Sequence, residues 1–334
     1  MKLVRFLILV CLGLVCSLPL YSCGGSEGPG NDPFELYVLY PLAGLGDRSF
    51  SDNVYEGVVR SGLSVNFNKT EAMADDIDQA KEIYSAWIED EAPEPELIIA
   101  VSSEFDVVVN QSPCDFNNRK LLFLDYELEP CEHTRNIIYK TYAPSFLAGV
   151  AAMEVSASKK ASVLAGMDID PVNEFVRGFI AGVEYAGGEV VETRYISETF
   201  EGFWSADLAK EMSDEMYETV DVIFPVAGGS NLGVFEAAKE AEGRYTFGID
   251  SDQSFWGVTV ILGSVVKYLD RSVEEAIISF ADSTFETGVF HMGMEDGKTG
   301  FVINEQFAEQ LNPVVEEAYT KAIAAEQADA TEAD

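Results

Sequence analysis

FELYVLYPLAGLGDRSFSDNVYEG, residues 34–57, opens on an apolar run, passes through two glycines and a polar Asp-Arg-Ser-Phe-Ser-Asp stretch, and closes on a helical pattern. A short apolar run bounded by glycine reads as a buried strand, and the polar stretch after it reads as a turn feeding a helix. The same alternation continues along the chain. Strands are predicted at 64–68, 96–103, 120–126, 136–140, 161–167, 189–196, 221–228, 245–250 and 258–267, each followed by an amphipathic segment. One such helix carries Val172, Phe175, Val176, Phe179, Ile180 and Val183 at three- and four-residue steps, and Asp170-Pro171 is expected to start it with a capping carboxylate. Strands alternating with helices form parallel sheets covered on both faces. About ten strands exceed one sheet of ordinary width, so the predicted fold class is α/β, with two doubly wound parallel-sheet lobes and a cleft between them.

The expected organisation has an N-terminal lobe at 34–142 plus about 268–287 and a C-terminal lobe at 143–267 plus about 288–310. GVFHMGMEDGKTGFVIN (288–304) reads as a hairpin turning at Glu295-Asp296-Gly297, and 311–334 as a final helix ending in a solvated acidic tail.

The N-terminus bears on compartment. Lys2 and Arg5 precede an apolar run, 6–20, that is short for a bilayer span, so 1–22 reads as a signal peptide. Leu20-Tyr21-Ser22-Cys23 resembles a lipobox, although Tyr21 is bulky for one, and makes Cys23 the expected lipidated residue before a Gly-Ser-rich tether at 23–33. The plainer reading is a secretory signal cleaved elsewhere. With Cys11 and Cys16 in the signal, Cys114 and Cys131 remain as a candidate disulfide, and whether they pair depends on how the intervening loop folds back.

Over 334 residues the chain has 21 Lys and Arg against 58 Asp and Glu, a net charge of −37 that argues against nucleic acid or another polyanion as partner. There is no phosphate-binding GxxxxGK[ST] loop, no HExxH and no GxSxG, only His133 and His291 exist to serve as imidazole bases, and the one Cys and one His of CEH (131–133) fall far short of a metal-ligand set. No cofactor or metal is expected. Binding, or chemistry done by carboxylates, is what remains.

In open parallel sheets the ligand lies beyond the carboxyl ends of the strands. The clusters there are Asp47 to Asp52, Asp125, Pro171 to Phe175, Ala227 to Asn231 and Gly248 to Gln253. Five segments in order then resemble the basic membrane protein (Bmp) family of bacterial lipoproteins: DRSFSDNVYEG, FLAGVAA (146–152), PVNEFVRGFIAGV (171–183), DVIFPVAGGSNLGVFEAAKE (221–240), and GIDSDQ (248–253) with SVVK (264–267). The resemblance implies a type I periplasmic-binding-protein fold and the role of solute-binding protein for an ABC transporter, with a purine nucleoside as expected ligand, a membrane permease as partner and no enzymatic activity. It also implies a monomer anchored through Cys23 to a bacterial membrane and facing the periplasm or exterior.

The residues agree in kind. A nucleoside needs aromatic faces for its base and a carboxylate for its ribose hydroxyls. Phe50 and Phe175 are the candidate faces, although Phe175 also sits on an apolar stripe and could be core. Asp250 is the candidate ribose ligand, or it only caps its loop. Lys267 could donate to the ligand or pair with a cleft aspartate. Gly228 either lets backbone approach the ligand or makes a tight turn. Asp47 and Asp125 could contact ligand or serve structure. Ser51 stands where the family pattern has Asn, which shortens the reach toward a purine, and Asp52 or Asn53 is the candidate to compensate. Alternatives are a nucleoside hydrolase holding Ca²⁺ near Asp250-Ser251-Asp252, a surface lipoprotein that senses its ligand without transport, and a sugar or other small polar cargo.

Overall fold

The computed structural model describes residues 33–89, 95–110, 119–129 and 131–333. Cys23, with the signal and tether around it, and Cys114 lie outside these residues; Cys131 is buried and disulfide-bonded.

The strands are β1 (Phe34–Tyr40), β2 (Phe67–Met73), β3 (Glu96–Val101), β4 (Arg119–Leu124), β5 (Thr134–Tyr139), β6 (Lys160–Ala165), β7 (Glu189–Tyr195), β8 (Val222–Val226), β9 (Tyr245–Asp250), β10 (Ile261–Lys267), β11 (Gly288–Met292) and β12 (Thr299–Ile303). The helices are α1 (Phe50–Ser61), α2 (Ile77–Glu89), α3 (Asp106–Val109), α4 (Tyr142–Val155), α5 (Asp170–Tyr185), α6 (Ala206–Met216), α7 (Asn231–Lys239), α8 (Leu269–Ala281) and α9 (Ala308–Ala333). Two six-stranded sheets result, ordered β11-β5-β4-β3-β1-β2 and β12-β10-β9-β8-β6-β7. Central strands such as β3, ELIIAV, are buried along their whole length, as strands covered on both faces must be. Each sheet has its own core. Leu36, Val38, Ile99 and Leu122 meet Val54 of α1 and Val273 and Ile277 of α8 in the first lobe, while Val163, Phe224 and Phe247 meet Phe175 and Phe179 of α5 in the second.

Three crossings join the lobes, between β5 and α4, between β10 and α8, and between β11 and β12. They bond to one another: Lys140 N–H donates to Met292 O (2.8 Å), Tyr268 N–H to Lys298 O (2.9 Å) and Thr299 Oγ1 to Lys140 O (2.9 Å). These bonds gather the crossings in one place, the arrangement a hinge requires.

Several expectations are corrected. The expected hairpin at 288–304 does not form, and residues 288–292 belong with the first lobe: β11 runs parallel to β5 while β12 runs antiparallel to β10. Each strand thereby covers an outer edge that a hairpin would have left unpaired. The second strand lies at 67–73 rather than 64–68, because an edge strand with mostly exposed residues (FNKTEAM) has no apolar run to announce it. Asp170 does not cap α5. It is the first helical residue after Ile169, which makes no side-chain bond as the cap. The acidic tail is helical to Ala333 and engaged: Glu326 Oε1 accepts from Ala143 N–H at 3.0 Å, and Asp329 pairs with Arg177 at 2.9 Å. Among the described residues no helix is long and apolar enough to cross a membrane.

Candidate functional site

The stretch between β1 and α1 is wound around two carboxylates. Asp47 accepts from the backbone N–H of Ser49 (2.9 Å), Ser51 (2.8 Å) and Asp52 (3.2 Å), groups that the start of α1 would otherwise leave unpaired. Asp52 accepts from Gly46 N–H (2.8 Å) and Arg48 N–H (2.9 Å). Asp47 is therefore the residue that caps α1. Burial pushes the Asp47 carboxyl up, while its three backbone donors pull the other way.

This winding sets Phe50 at the first helical position, facing the second lobe. Between the lobes lies a cavity that is partly open to solvent. Of the sequence candidates, Asp47, Phe50, Ser51, Asp125, Phe175, Gly228, Asp250 and Lys267 all line it. Asp52 is the exception: both its oxygens are engaged by the loop and it is absent from the cavity wall, so it does not compensate for Ser51 there.

At the centre of the cavity is a charged cluster built by three strand ends. Lys267 closes β10, Asp250 closes β9, and Asp125 follows β4 of the facing lobe. Lys267 Nζ donates to Asp125 Oδ2 at 2.6 Å and lies 3.9 Å from Asp250 Oδ1, while Ser49 Oγ donates to Asp250 Oδ2 at 2.8 Å. Burial opposes the charge on Lys267, but the two carboxylates outweigh it and hold the ammonium above its ordinary range. Burial also pushes Asp250 up against the pull of Lys267. Lys267 Nζ lies 5.5 Å from the Phe50 ring centroid and 4.8 Å from that of Phe175, within cation–π range of a ring from each lobe. Asp125 and Asp250 turn into the cleft from left-handed backbone, φ 68° and 64°, a conformation that non-glycine residues seldom adopt.

The lobes also touch through the loops. Ser251 Oγ and Gln253 Nε2 donate to Arg48 O at 2.8 and 3.2 Å, and Asn53 Nδ2 donates to Asp250 O at 3.2 Å. Phe175 satisfies both readings of it, since it lies in the second-lobe core, is 2% exposed, and lines the cavity. Gly228 is in left-handed backbone (φ 51°), and a Cβ there would sit 3.4 Å from Phe203 O. Ser51 Oγ is buried beside the Asp47 carboxyl but outside hydrogen-bonding geometry.

Two groups of lining residues were missed in the sequence. Phe200, Phe203 and Trp204 follow β7 and add aromatic surface from the second lobe. Gly166 seats the Phe203 ring, since a Cβ there would come within 2.7 Å of it. The other is Ser102, Ser103 and Glu104 after β3. Glu104 is 3% exposed and accepts from Leu42 N–H at 2.5 Å through Oε1; burial raises its carboxyl to about 7. Both groups stand just beyond strand ends, so the rule that found the other clusters would have found them.

Residues 36–332 match the family model described as PnrA-like ABC transporter substrate-binding protein, Bmp. Basic membrane protein A of Borreliella afzelii is 26% identical over 296 residues, covering 85% of this chain and 87% of that protein. Basic membrane protein A of Borreliella burgdorferi is 24% identical over 305 residues, covering 87% and 86%. A solute-binding protein of an ABC transporter system from Aeropyrum pernix K1 shares the fold at a TM-score of 0.74 and 24% identity, covering 86% of each chain. The two parallel-sheet lobes are those of a type I periplasmic-binding protein. The matched family is one of solute-binding proteins, not of enzymes, which sets aside the hydrolase alternative. With its model matched across nearly all of the described residues, the chain belongs to the Bmp family of PnrA-like ABC transporter substrate-binding proteins.

Proposed function

We propose that this substrate-binding protein takes a nucleoside, with a purine base, into the interlobe cavity. The observation that carries the reading is the pairing of opposed aromatic residues from the two lobes, Phe50 and Phe175, with the Asp125–Lys267–Asp250 cluster. A flat base stacks between the rings, each stack contributing roughly 1 to 3 kcal/mol. Vicinal ribose hydroxyls are two donors, and Asp250 offers the acceptors, with Lys267 donating to ribose or base oxygen. Among the described residues, Lys267 is the one cation on a wall that also carries Asp47, Glu104, Asp125 and Asp250, so a phosphorylated ligand would meet net repulsion.

A ligand that touches both lobes favours the closed state over the open one, and the closed form is what a permease would recognise. In this reading the chain works as a monomer, is held to the envelope membrane through lipid on Cys23 and faces the periplasm or exterior. Calorimetry of the signal-free protein with adenosine, guanosine, inosine, uridine and ribose tests the ligand class. Binding of purine nucleosides without binding of ribose supports it. Failure of every nucleoside at high protein concentration overturns it.

A further inference from the structure

The Asp125–Lys267–Asp250 cluster offers the base one donor, Lys267, and a second group on the first-lobe wall is free to accept from N–H donors on the base edge. Glu104 stands at the end of β3, between β1 and β4 in the sheet, and reaches the cavity that Phe50 and Asp125 also line. A carboxylate has about four acceptor positions. Leu42 N–H occupies one, on Oε1, and Oε2 has no partner among the described residues. Among the described residues no cation pairs with it. The elements packed on Ser103–Phe105 carry Asp106 on α3 and Asp78, Lys81, Glu82 and Glu89 on α2; Lys81 is engaged with Asp78 at 3.3 Å, and Asp78, Glu82 and Glu89 are exposed. On the same wall stand Asp47 and Asp125, and across the cavity stand Asp250 and Lys267, the last paired with Asp125. A buried carboxyl with unused acceptors and no counter-charge is costly in the empty cleft. It is compensated when a ligand brings donors.

Resting on the nucleoside reading, we propose that Glu104 is the specificity-determining residue for the base and selects a guanine-type edge, which presents two adjacent N–H donors. Guanine offers N1–H and the N2 amino group side by side, a match to one carboxylate. Hypoxanthine offers N1–H alone. Adenine presents N1 as an acceptor beside its amino group, and that lone pair faces the carboxylate oxygen unfavourably. The buried hydroxyl of Ser51 on the same wall is a donor for O6 or N7. Burial raises the free carboxyl to about 7 against the downward pull of the Leu42 N–H. Donors from a guanine base favour the ionised form and lower that value further, so guanosine binding near neutrality releases protons and weakens as pH falls below about 7.

The test is calorimetry with guanosine, inosine and adenosine on the wild-type protein and on Glu104→Gln, near pH 6 and near pH 8, in two buffers of different ionisation heat. The expected order for wild type near pH 8 is guanosine, inosine, adenosine, with guanosine favoured over adenosine about tenfold or more. The gap should narrow near pH 6, with proton release seen as a buffer-dependent heat. Glutamine keeps the acceptor for Leu42 but places an amino group where the base needs an acceptor, so the variant should lose the guanosine preference and the proton release. A variant that keeps the wild-type order, or a wild type that prefers adenosine at both pH values, overturns the assignment while leaving the nucleoside site standing. No binding of any nucleoside to the wild type overturns both.

Discussion

Replacing Lys267 with Met probes the centre of the cleft. The substitution conserves much of the side-chain volume and removes a cation that is 4% exposed and lies 2.6 Å from Asp125 Oδ2 and 3.9 Å from Asp250 Oδ1. Two carboxylates then share a buried site without a counter-charge. Removing one partner of a buried pair costs about 3 to 5 kcal/mol, and a second carboxylate places the expected loss near the upper end, about 5 kcal/mol near neutral pH. The pH dependence comes from the directions in which burial and charge move these groups. In the wild type the raised Lys267 value keeps its contribution fully present throughout the neutral range, and it is lost only as pH rises through the folded-state value. In the variant the folded-state carboxyls lie above their unfolded values, because burial raises Asp125 and Asp250 and, with Lys267 gone, only the Ser49 hydroxyl on Asp250 opposes it. The penalty is then absent below the unfolded carboxylate range. It grows by about 1.4 kcal/mol per carboxyl for every pH unit climbed between the unfolded and folded values. Urea unfolding of the signal-free protein near neutrality and near pH 5 measures both. The variant should regain stability relative to wild type on acidification, and Lys267→Met with Asp125→Asn should recover more than half of the neutral loss. A loss below about 1 kcal/mol, or an equal loss at both pH values, would refute the account of a coupled buried cluster.

The two aromatic faces should separate in their effects. Phe50→Ala is expected to weaken nucleoside affinity by about one to two orders of magnitude with little change in unfolding. Phe175→Ala should weaken binding and also cost about 3 to 5 kcal/mol of stability, because its ring is part of the second-lobe core. Full affinity in the Phe50 variant would sink the stacking model. Gly182→Ala tests the crossing of α4 and α5, where a Cβ at Gly182 would overlap Phe146 O. Overpacking of about 3 kcal/mol, less about 1 kcal/mol gained in helix propensity, leaves an expected loss of about 2 kcal/mol in urea unfolding, and a neutral or stabilising result would contradict the packing.

The architecture was legible where burial leaves a pattern. Fully buried strands such as β3 show as apolar runs, and α5 shows its core stripe at helical spacing. Legibility fails at the sheet edges. β2 is paired on one side and mostly exposed, so nothing in FNKTEAM marks it, and β11 and β12 have the local look of a hairpin although each is claimed by a different sheet. The site divides in a similar way. Strand-end position was enough to nominate Phe50, Asp125, Asp250 and Lys267, but it applied equally to Asp52, whose carboxylate the loop itself takes up.

The sequence by itself determined that two α/β lobes face each other across polar strand ends, because side-chain period and strand-to-helix order are local properties of the chain. Tertiary structure alone decided which charges meet. Lys267 lies 142 positions from Asp125 in sequence and 2.6 Å away in space. It decided likewise that Asp47 caps a helix while Glu104 keeps an unused oxygen on the cavity wall. Burial and hydrogen-bond geometry act between residues remote in the chain, and they separate a carboxylate that holds the fold from one left free to hold a ligand.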